Sequence, residues 1–268
     1  METALRIGSF VLIFALLALW EALRPRRPLT QAKRRRWLTN LALVVTDTLV
    51  LRLMGGAVAY AAAVYVQQRG WGWLNAVDWP YWLEFIMVII ALDFALYLQH
   101  VMSHYLPVFW RLHKVHHTDL DIDLTTGIRF HPLEIGVSML YKVGVVTALG
   151  ADPWAVLIFE VILNGTALFT HSNIDIPEKF DQLLRRVLVT PDMHRVHHST
   201  TPRETNSNFG TFISVWDRLC GTYRQAPALG QLGMEIGLQE YRNPKALNFF
   251  SLLLVPFRGQ AQGNRDNY

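Results

Sequence analysis

The sequence predicts an all-α integral membrane protein. It has about four transmembrane helices and a cytosolic helical cap that carries a histidine-rich site for two metal ions. Three observations predict it. Of the 268 residues, 51% are hydrophobic, mean hydropathy is +0.20, and the apolar residues are gathered in runs of bilayer-spanning length. A dense basic cluster follows the first run. Ten histidines stand in tight groups where the apolar runs end.

The first run, Ile7 to Leu23, is long enough to cross a bilayer with little tilt. Only Arg6 precedes it, whereas Arg24, Arg26, Arg27, Lys33, Arg34, Arg35 and Arg36 follow. A secretory signal has the reverse polarity, so the run is expected to be a retained helix with its N-terminus outside. Flanked by apolar runs, the basic loop reads as a cytosolic topology signal and not as a nucleic-acid site. The second run, about Leu38 to Val66, contains Asp47 and Arg52, which should face protein or the interface because a lone charge in lipid is costly. Trp71, Trp73, Trp79, Tyr81 and Trp82 then form an aromatic segment of the kind that collects at membrane–water boundaries.

A third run, Tyr81 to Leu98, leads back to the cytosol and delivers His100. After a polar segment to His131, Glu134 to Gly150 and Trp154 to Thr170 form two apolar helices about the turn Gly150-Ala151-Asp152-Pro153, whose residues break helices. They bring His171 back to the face of His131. From Ser172 onward the chain is mixed and expected to be cytosolic, with an apolar patch at Phe249 to Phe257 lying on the bilayer surface. The reading divides the chain into an anchoring part (1–80), a catalytic part (81–225) and a tail (226–268). With these spans, all ten histidines fall on the cytosolic side. The single cysteine, Cys220, rules out a disulfide framework and a thiolate cluster.

The histidines read His100-x3-His104, His113-x2-His116-His117, His131, His171 and His194-x2-His197-His198. On a helix, positions three or four apart share a face, so His100 and His104 can share an ion. In each H-x2-HH cluster the first histidine pairs with one of the next two. The adjacent pair diverges by about 100°, so its members can serve different ions a few ångströms apart. Imidazole suits zinc, copper, iron and nickel. A closed structural zinc site takes four ligands, usually with Cys. H-E-x-x-H is absent, and with it the general base of that metalloprotease type. The carboxylate-plus-E-x-x-H set of soluble di-iron bundles is absent too. Two redox-active ions fit best, although spacing leaves a zinc pair open.

From about Asp93 to Tyr223 the chain resembles the fatty acid hydroxylase/sterol desaturase superfamily of membrane-bound di-iron oxygenases. The resemblance is carried by Asp93-Phe94 and Tyr97 before the first histidine box, FWRLHKVHH (109–117), RFHPLE (129–134), TPDMHRVHH (190–198), NSNFG (206–210) and WDRLCGTY (216–223). The chain departs from the common pattern in having Gln99 and Val101 beside His100, and Thr118 after His117. The resemblance implies that the eight box histidines are ligands, and His131 and His171 with them. Asp93, Glu134 and Asp192 are candidate partners for the far ring nitrogens, since a metal-bound histidine usually donates its other N–H to a carboxylate or carbonyl. Asp192 could instead cap a helix beginning near Met193. Tyr97 lies on the helical face of His100, and Asn208 either holds a metal-bound water or makes the turn before Gly210.

The resemblance further implies two non-haem iron ions, O2 as co-substrate and a lipid substrate that is hydroxylated or desaturated. No flavin, haem-donor or G-x-G-x-x-G motif is present, so the electrons are expected from a separate reductase or small carrier. Compact size points to a bacterial inner membrane. The rival readings are a membrane metal-binding or metal-transport protein, and a zinc-dependent hydrolase.

Overall fold

The computed structural model describes residues 1–56 and 58–258. The last ten residues of the expected tail, 259–268, and residue 57 of the second run lie outside the described residues. The described chain is helical. Its pairing of extended segments is limited to three isolated bridges, Pro25–Ile174, Leu188–Ile213 and Ser199–Ile236.

The main helices are α1 (Glu2–Leu23), α2 (Lys33–Leu53), α3 (Val58–Arg69), α4 (Tyr81–Tyr105), α5 (Pro107–His117), α6 (Pro132–Leu149), α7 (Pro153–His171), α8 (Glu178–Leu184) and α9 (Pro191–His197). Proline supplies the first residue of α5, α6, α7 and α9, where its missing N–H costs nothing and its fixed φ is already helical. Asp152 caps α7 by accepting from the Ala155 N–H at 2.9 Å, and Thr190 caps α9 by accepting from the Met193 N–H at 3.3 Å. Gly150 ends α6 in the left-handed region, φ 72°, as a C-terminal glycine does. A side chain on the facing Gly72 would put its Cβ 2.1 Å from the Gly150 nitrogen. The α6–α7 turn and the loop before α4 therefore meet backbone to backbone.

About four spans are expected; among the described residues, five helical stretches are long and apolar enough to cross a membrane: 2–23, 33–76, 81–105, 132–149 and 153–171. The second is bent. Gly55 and Gly56 take φ 113° and 77° and separate α2 from α3. Leu43 of α2 packs on Val115 of α5, and Val50 and Met54 lie against Gly136 in the first turns of α6. Thus α2 travels along the histidine-bearing end, and α3 continues beside α6 and α7. Ala59, Ala63, Leu92, Met139, Val146, Ala155 and Phe159 form the main core between α3, α4, α6 and α7. Leu38, Leu41, Val45 and Leu49 are exposed on the outer side of α2.

The basic loop is more than a topology signal. Arg26 pairs with Asp192 at 3.0 Å, Arg27 donates to the carbonyls of Gln231 and Met234 at 3.1 and 2.9 Å, and Arg36 is buried on Asp119 and Asp123. Glu21, at the end of α1, accepts from the N–H groups of Leu124 and Asn173, each at 2.7 Å. These contacts draw the ends of α1 and α2 onto the loops around the histidines.

Candidate metal centre

Nine of the ten histidines meet at one end of the helices, in two adjoining groups. His100 and His104 from the end of α4, His113 and His117 from α5, and His197 from α9 form the first; His116, His171, His194 and His198 form the second. Within each group the available ligand atoms lie within 4.8 Å of one another. Both H-x2-HH clusters divide between the groups: His116 and His117 part, as do His197 and His198. The cause is the ~100° step between successive helical residues. His113 keeps company with His117, and His194 with His198, four residues on in each case.

Backbone and side-chain acceptors fix the rings from behind. The Nδ1–H groups of His100, His197, His116 and His171 donate to the carbonyls of Phe209 (2.8 Å), Ser207 (2.8 Å), Arg129 (3.3 Å) and Ala167 (2.7 Å). His104 donates to Asn206 Oδ1 at 3.1 Å, and His113 to Glu134 Oε1 at 2.6 Å. This leaves Nε2 lone pairs facing inward. Those of His100, His104 and His197 are buried without a partner. His116 Nε2 lies 3.0 Å from His171 Nε2, which lies 3.0 Å from His194 Nε2. Because His116 and His171 both spend their protons on carbonyls, two lone pairs face each other at that distance. A shared cation relieves such a contact, so the donor set fits bound metal.

Burial, and then repulsion between neighbouring imidazoles, holds His116, His117, His194, His197 and His198 well below the ordinary histidine pKa of 6.5. They are neutral at pH 7, the form that ligates metal. Aromatic rings close the site. Phe209 packs edge-on against His100, His104 and His197. Trp110 covers His104 and His117, and Phe130 stacks on His116 at 4.6 Å.

The other expected site residues divide. Glu134 meets a histidine ring directly. His131 joins neither group: its Nδ1 accepts from the Leu133 N–H at 3.1 Å, capping α6, and its Nε2 donates to the Leu253 carbonyl at 3.2 Å. A histidine directly before a helix-starting proline is in the N-cap position, and that local role places it. Asp93 touches no histidine. It accepts from Thr211 Oγ1, the Ile213 N–H and Trp216 Nε1 at 2.9, 3.1 and 2.8 Å, pinning the loop whose Phe209 carbonyl receives His100. Tyr97 points its hydroxyl at Thr222, 3.0 Å away. Asp192 is neither a histidine partner nor the cap of α9; it pairs with Arg26 and Arg195, and Thr190 is the cap. Asn208 makes the turn. It sits at φ 53°, with its amide donating to the carbonyls of Met193 and Arg224 and accepting from the Arg224 N–H.

Residues outside the expected set also build the site. Asp217 accepts from the N–H groups of Phe209 and Gly210 at 2.8 and 2.9 Å. A Cβ on Gly210 would come within 2.8 Å of Asp217 Oδ2, so only glycine allows this grip. Asn206, Phe209 and Gly210 lie within the NSNFG stretch, a signal that marks the loop without naming its acceptors. Arg129 opens the RFHPLE stretch in the same way, whereas the carbonyl of Ala167 has no sequence signal.

The fatty acid hydroxylase family profile matches residues 85–222, just over half of the chain. An ornithine lipid hydroxylase of Rhizobium tropici is 29% identical over 154 residues, covering 56% of this chain and 44% of its own. An alkylglycerol monooxygenase of Xenopus tropicalis is 31% identical over 147 residues, 54% of this chain and 30% of its own. A delta(7)-sterol 5(6)-desaturase of Eremothecium gossypii is 30% identical over 146 residues, 53% and 38% respectively. This chain thus spans less than half the length of each of these relatives. No solved structure matches. With its boxes in order and the matched segment enclosing all nine gathered histidines and all of their ring acceptors, this chain belongs to the fatty acid hydroxylase family, within the fatty acid hydroxylase/sterol desaturase superfamily.

Proposed function

We propose that this protein is a membrane-bound oxidoreductase that uses two iron ions and O2 to hydroxylate or desaturate a lipid C–H bond. Electrons come from a separate reductase or small carrier. The observation that carries the reading is the pair of adjoining, buried, all-imidazole groups at one end of membrane-length helices. Two of the three relatives described are named for hydroxylation or monooxygenation of lipids, which favours hydroxylation.

The five-histidine and four-histidine groups would hold one ion each, and bound iron would supply the O2 activation and one-electron chemistry. The protein's own part is geometric. The Phe209, Ser207, Arg129 and Ala167 carbonyls and Glu134 hold five of the rings by Nδ1 and leave their Nε2 atoms free to ligate an ion, the usual task of outer groups in metal sites. Phe209, Trp110 and Phe130 exclude water from the centre, which protects a reactive oxidant from side reactions. An apolar pocket of about 240 Å³, lined by Trp73, Met87, Ile90, Ala91, Phe94 and Trp216, runs along α4 and offers room for a lipid chain. Exposed Lys33, Arg34 and Arg35 at the histidine end of α2 support placing that end in the cytosol.

Metal analysis and O2 uptake of protein purified without oxygen test the reading. About two irons per chain with iron-dependent O2 consumption and an oxidised lipid product are expected. Stoichiometric zinc without iron-dependent uptake would overturn it in favour of a hydrolase. A transport protein would carry ligands along a path near the bilayer midplane, whereas these histidines gather at one end of the helices.

A further inference from the structure

The first 84 residues precede the family-matched segment, yet several of their side chains, Arg36 and Asn40 among them, reach the structure behind the four-histidine group. His116 lies in the last turn of α5, where carbonyls lack intrahelical partners and the helix is free to fray. Arg129 secures that turn. Its Nε donates to the Val115 carbonyl at 3.2 Å and its Nη2 to Thr118 Oγ1 at 2.8 Å, while its own carbonyl takes the His116 Nδ1–H. One buried residue thus holds both the end of the helix and the ring of a ligand.

Arg129 is in turn aimed by α2. Its Nη1 donates to Asn40 Oδ1 at 2.8 Å, and the Asn40 amide donates to Thr125 Oγ1 at 3.0 Å. One turn earlier, Arg36 grips Asp119 through Nε and Nη2, both at 2.8 Å, and Asp123 through Nη1 at 2.6 Å. It also reaches the Asp121 carbonyl and Thr126 Oγ1, each at 3.2 Å. Asp119, Asp121 and Asp123 would repel one another in so short a loop. A guanidinium fork is the one side chain that satisfies two carboxylates and a carbonyl together. The loop from Thr118 to Phe130 is therefore folded around Arg36 and Asn40, and its far end delivers Arg129.

We propose that Arg36 and Asn40 are positioning residues for the four-histidine metal site, acting through Asp119 and Arg129 on the end of α5 and on His116. The inference rests on the metal-binding reading above. Loss of such an outer group weakens metal affinity by roughly 10- to 100-fold. The weakening should fall on the ion held by His116, with the five-histidine ion less affected.

The test uses the full chain in lipid nanodiscs, stripped of metal and titrated with Co(II), whose visible absorption reports coordination site by site. Wild type is compared with Asn40→Ala, with Arg36→Lys, and with Leu41→Ala on the opposite, exposed side of α2. Wild type and Leu41→Ala should each take up two ions. Asn40→Ala and Arg36→Lys should keep one tight ion and bind the second at least tenfold more weakly, with an altered absorption band. Unchanged uptake and spectra in both variants would overturn the proposal. So would an equal weakening of both sites in step with a lowered melting temperature, since that marks general destabilisation. If Arg36→Lys does not fold, the Asn40→Ala titration decides. A wild type that binds no pair of ions would instead remove the metal reading itself.

Discussion

His113 and Glu134 meet through a 2.6 Å hydrogen bond between Nδ1 and Oε1, joining the middle of α5 to the first turn of α6. Glu134 is the one carboxylate among the expected supporting residues that touches a ring of the centre. Replacing it with Ala should lower metal affinity by about 10- to 100-fold, and Glu134→Gln, which keeps an acceptor oxygen, should lower it less. Metal titration of the two variants checks the order.

Acid should destabilise the metal-free protein. His116, His117, His194, His197 and His198 are held well below 6.5 when folded and return to about 6.5 on unfolding. Below that pH the unfolded chain binds more protons than the folded one, so stability falls as pH drops. The loss approaches ~1.4 kcal/mol per histidine for each unit below 6.5, and above about 7.5 these groups contribute no slope. Melting temperatures of chelator-treated protein at pH 7.5, 6.5 and 5.5 test the sign; a melting point that rose on acidification would contradict it.

Glu160 of α7 binds Lys142 of α6 at 3.0 Å and Arg6 of α1 at 2.5 Å, within stretches long and apolar enough to span a membrane. Glu160→Leu leaves the buried Lys142 without its carboxylate and Arg6 with Glu2 alone, and should cost about 3–5 kcal/mol. Adding Lys142→Leu and Arg6→Leu should recover most of that loss. Thermal unfolding in detergent measures both steps.

Ala91 lines the apolar pocket beside α4. If a lipid chain lodges there, Ala91→Trp should reduce turnover of long-chain substrates more than short-chain ones while leaving metal content unchanged. Product analysis across a chain-length series, alongside iron analysis, separates this from loss of the centre.

The sequence by itself determined the helical membrane architecture and most of the centre. Hydropathy runs and charge asymmetry are local properties. The i, i+3 and i+4 geometry of a helix also obliges His116 and His117, and His197 and His198, to part. What the sequence could not decide was which distant groups would meet. His131 precedes Pro132 and was claimed by a helix cap, while His171, equally isolated in sequence, is carried into the four-histidine group by the end of α7. Carboxylates are visible in a sequence, but four of the six acceptors that these rings meet are backbone carbonyls, which every residue has. Only tertiary structure selects Phe209, Ser207, Arg129 and Ala167 for that role. It also turned two members of a basic loop's neighbourhood, Arg36 and Asn40, inward onto the loop behind His116, because a buried carboxylate cluster must find its counter-charge wherever the chain can bring one.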